Sequence, residues 1–324
     1  MSVKQIKLAL RPYDQFNPLI IGAAEVPGYK VDVDFRSPLS DDFTGGFHAR
    51  EISFNRYVLA RAKGDDTLVG LPAFVLRGFR HRNYIVHRSS PITQLDELAE
   101  ARIGTNSWSD TGTMWARAAL REAGVDLSGV HWVIGNLDET VKVKPPTPLD
   151  VPPPENSKRL AEDENLLEGL RKGTLDAVTT AFVPNSIYED DGEFRRLIPD
   201  FRQAEVAYHE RTGVYPAFHI VAVHRSLAET SPELVLALYE ALVKSWQLWW
   251  AKTKNYGDAS PWAIEEAETL VKQFPDDLMP FGTKSPSHRH MLASMCVEQL
   301  EQKLVAKAAD PEALFAKFNQ IAAA

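Results

Sequence analysis

The feature that most restricts this chain is a change of period along it. Through the first two-thirds, short β-branched runs alternate with longer stretches whose apolar residues recur at helical spacing; after Phe218–His224 the pattern turns almost wholly helical. Alternation of this kind requires crossover connections, so it predicts an α/β fold with largely parallel sheets. Ile6–Leu10, Tyr29–Phe35, Leu68–Phe74, Tyr84–His87, Arg102–Gly104, Trp132–Ile134, Ala177–Thr180 and Phe218–His224 read as strands. Phe54–Ala62, Thr93–Glu100, Thr111–Ala123 and Glu164–Lys172 read as helices. Within Ser231–Lys254, Leu238, Leu242, Trp246 and Trp249 fall on one helical face, a stripe that packs most simply on a sheet.

A length of 324 residues suits two domains, each able to bury its own core. The run of elements predicts one α/β lobe over 1–88 plus 219–324, interrupted by a second over 89–218, so that the chain crosses twice and forms a hinge. Ligands of open α/β sheets bind beyond the strand ends, which makes a cleft between two such lobes the expected pocket. The biased segment Lys142–Glu155 carries Pro145, Pro146, Pro148, Pro152, Pro153 and Pro154. Prolines at this density exclude helix and ladder and predict an extended surface connection.

Composition removes several function classes. With 36 basic against 44 acidic side chains the net charge is −8, which disfavours nucleic acid and anionic membrane surfaces as partners. The single cysteine, Cys296, excludes an intramolecular disulfide and a cysteine-cluster metal site. The chain opens without an apolar run of signal-peptide length and contains none of membrane-span length, from which a cytoplasmic protein is expected. Gly-x-Ser-x-Gly, Gly-x-Gly-x-x-Gly and His-Glu-x-x-His motifs are absent, so hydrolase, nicotinamide and zinc-protease chemistry lose their best sequence support.

Against the acidic background, Arg77-Gly78-Phe79-Arg80-His81-Arg82 gathers three guanidiniums and an imidazole after a strand. A guanidinium fork grips a carboxylate through two parallel hydrogen bonds, so this block suits a small anion, or else it is a solvated turn. Gly104–Thr113 runs from a strand end into a helix; Thr111 and the first helical N–H groups there form a generic anion cradle, which ordinary capping by Asp110 explains equally well. Trp108 either stacks on an aromatic ligand or packs in the core. Arg211-Thr212-Gly213-Val214-Tyr215-Pro216 predicts a tight turn delivering Arg211 and His219 toward the hinge. Glu51 and Ser53 stand at another strand-to-helix junction, and Tyr13 and Asp14 follow the first strand in the same way.

The chain resembles the 4,5-dihydroxyphthalate decarboxylase family, a branch of the type 2 periplasmic-binding-protein fold. The resemblance rests on Glu51-Ile52-Ser53-Phe54 with Tyr57, Leu71-Pro72-Ala73-Phe74 with Phe79-Arg80-His81, and Trp108 before the Thr111–Arg117 helix. It continues in Gly173-Thr174-Leu175-Asp176-Ala177, in Tyr208–Pro216 with His219, and in Pro280-Phe281-Gly282 and Arg289. Gln15 and Arg82 depart from the family pattern at pocket positions, so the acid bound need not be dihydroxyphthalate.

The resemblance implies a two-lobed fold with a helical C-terminal region and a decarboxylase acting on a hydroxylated aromatic carboxylic acid. Loss of carbon dioxide leaves charge on the ring unless the carboxylated carbon is protonated, so a general acid must reach it. His81 or His219 is expected to carry that proton. Glu51 would polarise a phenol or orient a histidine; Arg80, with Arg77 or Arg211, would hold the carboxylate; and Ser53, Thr111, Thr212, Tyr13, Asp14 and Trp108 would line the substrate. No cofactor is expected, although His81, Glu51 and His219 are the set that would converge if a divalent ion assisted. The competing class is a binding protein delivering a small carboxylate to a transporter or sensor, which needs the cationic grip but no proton donor. Assembly with identical subunits is compatible with either.

Overall fold

The structure is a computed structural model that describes residues 4–35, 43, 46–144, 146–155, 157–256 and 260–324. Its strands are β1 (Lys4–Ala9), β2 (Tyr29–Asp34), β3 (Ala49–Ser53), β4 (Leu68–Arg77), β5 (Tyr84–His87), β6 (Arg102–Thr105), β7 (His131–Ile134), β8 (Lys158–Arg159), β9 (Ala177–Thr179), β10 (Phe194–Arg196) and β11 (Ala217–His224). Its first five α-helices are α1 (Asn17–Ile20), α2 (Phe54–Ala62), α3 (Thr111–Glu122), α4 (Leu166–Arg171) and α5 (Phe201–Thr212). After β11 come α6 (Arg225–Thr230), α7 (Pro232–Asn255), α8 (Ala263–Gln273), α9 (Pro286–Glu301) and α10 (Ala316–Ala323).

The chain divides into two compact units, one formed by 1–77, 217–293 and 309–324, the other by 78–216 and 294–308. These bounds correct the expected lobes in two places. Tyr84–His87, expected in the first lobe, is a strand of the second unit's sheet, because its backbone pairs with β9 and β10. The segment 294–308 also joins the second unit, where Glu298, Glu301 and Gln302 bind arginines of α3. The chain therefore passes between units four times and not twice.

The first unit holds a five-stranded sheet in the order β2-β1-β3-β11-β4. Its β1 pairs are parallel, whereas β11 runs antiparallel to both β3 and β4. The largely parallel expectation is thus corrected to a mixed sheet, since the returning strand β11 enters from the opposite end. Leu238, Leu242 and Trp246 of α7 are buried with Leu8, Val69, Leu71, Val221 and Val223 of the sheet, as the helical stripe predicted, while Trp249 is only partly covered and Trp250 is buried in its place. Each fully buried aliphatic side chain of this kind contributes roughly 1.5–3 kcal/mol of transfer free energy. The outer edge of β4 is closed by the 280–282 segment: Phe74 N–H donates to Pro280 O at 2.8 Å and Gly282 N–H to Pro72 O at 2.8 Å.

The second unit carries a six-stranded sheet in the order β10-β5-β9-β6-β7-β8. Ala49–Ser53 and Phe201–Thr212, not read as elements from sequence, are a fully buried strand and a helix closed by Gly213 at φ 66°. Thr93–Glu100 is not an α-helix; only Asp96–Leu98 makes a short 3-10 turn. In the proline-rich segment, Pro145 lies outside the described residues, and the described remainder is neither helix nor ladder. Val151 ties it down, donating its N–H to Ser109 Oγ at 2.8 Å and accepting from that hydroxyl at 3.0 Å.

Candidate active site

In the first unit, three of the residues singled out from sequence meet. Glu51 lies on β3, a strand buried along its whole length, and His219 lies on β11, whose register sets His219 opposite Ser53. A buried carboxylate on a central strand must be paired, and this one is. Glu51 Oε1 accepts from His219 Nδ1 at 2.6 Å and from the Tyr13 hydroxyl at 2.7 Å, while Oε2 accepts the Arg11 backbone N–H at 2.8 Å. The Glu51 side chain is 2% exposed and that of His219 12%.

Burial pushes the Glu51 carboxyl upward, but the His219, Tyr13 and Arg11 contacts outweigh it and hold the group below the usual carboxylate range. Tyr13 moves the other way: burial first, then the neighbouring carboxylate, raise its phenol. An imidazole whose Nδ1–H is committed to a carboxylate is fixed in tautomer and orientation, and it moves its exchangeable proton through Nε2. The arrangement can therefore perform general acid–base chemistry.

Ser53 does something simpler. Its buried hydroxyl caps α2, accepting the Arg56 N–H at 3.4 Å. Asp14 is exposed in a short 3-10 turn, and Gln15, one of the departures from the family pattern, donates to Val75 O at 3.0 Å. Arg77 is bound within its own unit: its guanidinium donates to Asp277 O and lies 3.3 Å from His288 Nε2.

In the second unit, Arg80 and His81 precede β5. The Arg80 guanidinium lies over the first turn of α3, so close to Gly112 that an added Cβ there would fall 2.4 Å from Nη2. Asp110 caps that helix, accepting the Thr113 N–H at 2.6 Å, and Thr111 is buried in its first turn. A guanidinium beside a helix N-terminus is suited to a carboxylate.

His81 is only 4% exposed and rests edge-on against Tyr208 with ring centroids 5.1 Å apart. Its Nδ1 has no hydrogen-bond partner among the described residues, and burial pulls its pKa down to about 4, Glu122 opposing and Arg211 adding to the fall. It is neutral near pH 7, so it does not supply an imidazolium proton there.

Arg211 and Thr212 are likewise committed. Arg211 forms a two-bond fork on Glu122, at 2.6 and 2.9 Å, and the Thr212 hydroxyl donates to Tyr208 O at 2.7 Å. Arg82 donates its backbone N–H to Glu205 and sets its guanidinium over Phe201. Trp108 is a core residue, edge-on to Trp132 and covered by the guanidinium of Arg117 at 3.8 Å. Sequence reasoning missed Arg117 itself, which is fully buried, donates to Gln302 Oε1 and Trp108 O, and is lowered by burial to about 10. The available signal was an arginine inside the apolar run Met114–Leu120.

Among the described residues no group of three or more histidine, cysteine, aspartate or glutamate side chains is placed to hold a metal ion. Also among the described residues, no helix is long and apolar enough to cross a membrane.

No protein-family model matches the chain. A 4,5-dihydroxyphthalate decarboxylase from Comamonas testosteroni is 27% identical over 250 residues, 76% of this chain and 76% of that one. The periplasmic aliphatic sulphonate binding protein SsuA from Escherichia coli is similar in structure over 98% of this chain and 92% of its own, with a TM-score of 0.53 and 13% identity. The desulfurization enzyme DSZB matches over 99% of each chain, with a TM-score of 0.55 and 15% identity. The fold of this chain is that of the periplasmic binding proteins, and its sequence is similar to that of a decarboxylase.

Proposed function

We propose that this chain is a carbon–carbon lyase that removes carbon dioxide from a hydroxylated aromatic carboxylic acid. The observation that carries the reading is the Glu51–His219 pair, because decarboxylation of an electron-rich ring needs a proton delivered to one carbon, and a carboxylate-held imidazolium is built to deliver it. His219 in its protonated form donates from Nε2 to the ring carbon that bears the carboxylate. The bond to the carboxyl carbon then breaks, its electron pair restores the aromatic ring, and carbon dioxide leaves. Glu51 does not itself transfer the proton; its negative charge stabilises the imidazolium and fixes the ring plane. Such general acid catalysis contributes about 10²–10⁴-fold.

The 27% identity to 4,5-dihydroxyphthalate decarboxylase across three-quarters of both chains favours a dihydroxylated or dicarboxylated ring as the substrate class. Arg80, by its charge and its place at the start of α3, is the side chain best suited to recognising a carboxylate. The alternative, a binding protein for a small anion, draws on the fold shared with SsuA, but DSZB shows that an enzyme uses the same fold.

The two readings separate in one experiment. Purified protein is mixed with a panel of hydroxybenzoates and hydroxyphthalates, with headspace carbon dioxide and calorimetric binding followed together. Carbon dioxide in amounts equal to the decarboxylated arene supports the lyase; tight binding without release supports the binding protein.

A further inference from the structure

Glu51 Oε1 receives two donors, and the two compete. The Tyr13 hydroxyl and His219 Nδ1 both end on this one oxygen, at 2.7 and 2.6 Å, and stand 3.4 Å from each other. Since Nδ1–H donates to the carboxylate, the Tyr13–Nδ1 approach brings together two donors, and the hydroxyl reaches the ring only through Oε1. A hydrogen bond to an anionic oxygen drains its charge, so each donor reduces what the other receives. Burial and the facing carboxylate keep the phenol protonated, which leaves Tyr13 a donor across the working pH range.

We propose that Tyr13 is a positioning residue that tempers the Glu51 carboxylate and so holds the proton affinity of His219 below the value Glu51 alone would impose. The consequence for catalysis rests on the reading of His219 as the general acid, because an acid transfers its proton best when its affinity is matched to the operating pH. Ser53, opposite His219 on β3, caps α2; on β4 the register partner of His219 is the apolar Leu76, and the adjacent Arg77 is bound to Asp277 O and His288; Arg11, beside Tyr13, gives its N–H to Glu51 Oε2. Among these contacts Tyr13 is the one whose hydroxyl can be removed without touching the backbone or the carboxylate.

The test is an NMR titration of the His219 ring in the full chain carrying labelled histidine, without substrate, the signal being assigned by its loss in His219→Asn. Tyr13→Phe is expected to raise the His219 midpoint by about half a pH unit or more, the direction that follows from returning charge to Oε1. Glu51→Gln is expected to lower it by at least about one pH unit, and in that background Tyr13→Phe no longer raises it. A midpoint unchanged or lowered by Tyr13→Phe, or an equal rise with and without the Glu51 carboxylate, overturns the proposal. Because the titration needs no turnover, a protein that shows these shifts but releases no carbon dioxide loses only the lyase reading. A protein that releases carbon dioxide with an unshifted midpoint loses only the role of Tyr13.

Discussion

His219 and His81 look alike in the sequence, each close to a strand end and each within reach of arginine-containing blocks, yet the two units give them opposite surroundings. His219 has its Nδ1 against a carboxylate that is itself held by Tyr13 and the Arg11 amide. His81 is pressed on Tyr208, with Nδ1 unpartnered among the described residues and its pKa drawn down to about 4. A carboxylate faces the first ring, whereas burial draws the second toward its neutral form. What separates the two rings is the carboxylate that faces the one and the desolvation of the other, not nearness to a proposed substrate.

Four substitutions break or sharpen that contrast. His219→Asn keeps a donor near Glu51 but removes the titrating ring, so turnover is expected to fall by about 10³-fold with KM little changed, as read by carbon dioxide release at saturating acid. An equal loss from His81→Phe would erase the distinction between the two rings.

His81→Phe is instead expected to act on stability. A buried neutral histidine costs stability wherever the unfolded chain is protonated and the folded one is not. The penalty therefore grows as pH falls from about 6.5 toward the folded value of about 4, reaching on the order of 3 kcal/mol for one such group. His288, also drawn down to about 4 by burial and then by Arg77, adds a second contribution over the same window. Denaturant unfolding from pH 4 to 7 should show His81→Phe flattening part of the slope, and an unchanged slope would mean that the ring is not buried neutral.

Gly112→Ala follows. The new Cβ must displace the Arg80 guanidinium, so KM for the acid is expected to rise about tenfold with kcat within about twofold, in steady-state kinetics. The smallest effect is expected from Arg211→Ala. Its fork on Glu122 is solvent-exposed, worth no more than about 1 kcal/mol, and turnover should stay within about twofold of the unaltered protein.

Much of this was legible in the chain. Tyr13 after the first strand, Glu51 before the Phe54 helix and His219 within the last strand were each visible as polar residues beside or inside elements, although the strand that carries Glu51 was not itself read. Their meeting was not visible. Glu51 and His219 are 168 residues apart and meet through the antiparallel pairing of β11 with β3, whereas the alternation of elements had suggested parallel neighbours. Arginines were the least legible. Arg77 and Arg211 read as anion grips by residue type, but a guanidinium takes whatever acceptor the fold supplies, here the Asp277 carbonyl and the Glu122 carboxylate. Arg117 shows the converse, a cation inside the apolar run Met114–Leu120 that packing places against Trp108.

The central claim is that Glu51 makes His219 an acid. It is tested most directly by the rate of carbon dioxide release from a hydroxylated aromatic acid by Glu51→Gln at saturating substrate. An amide in place of the carboxylate keeps the shape and removes the charge that stabilises the imidazolium, so kcat is expected to fall about 10²-fold or more with KM within about twofold. A Glu51→Gln protein that turns over as fast as the unaltered chain would contradict the account.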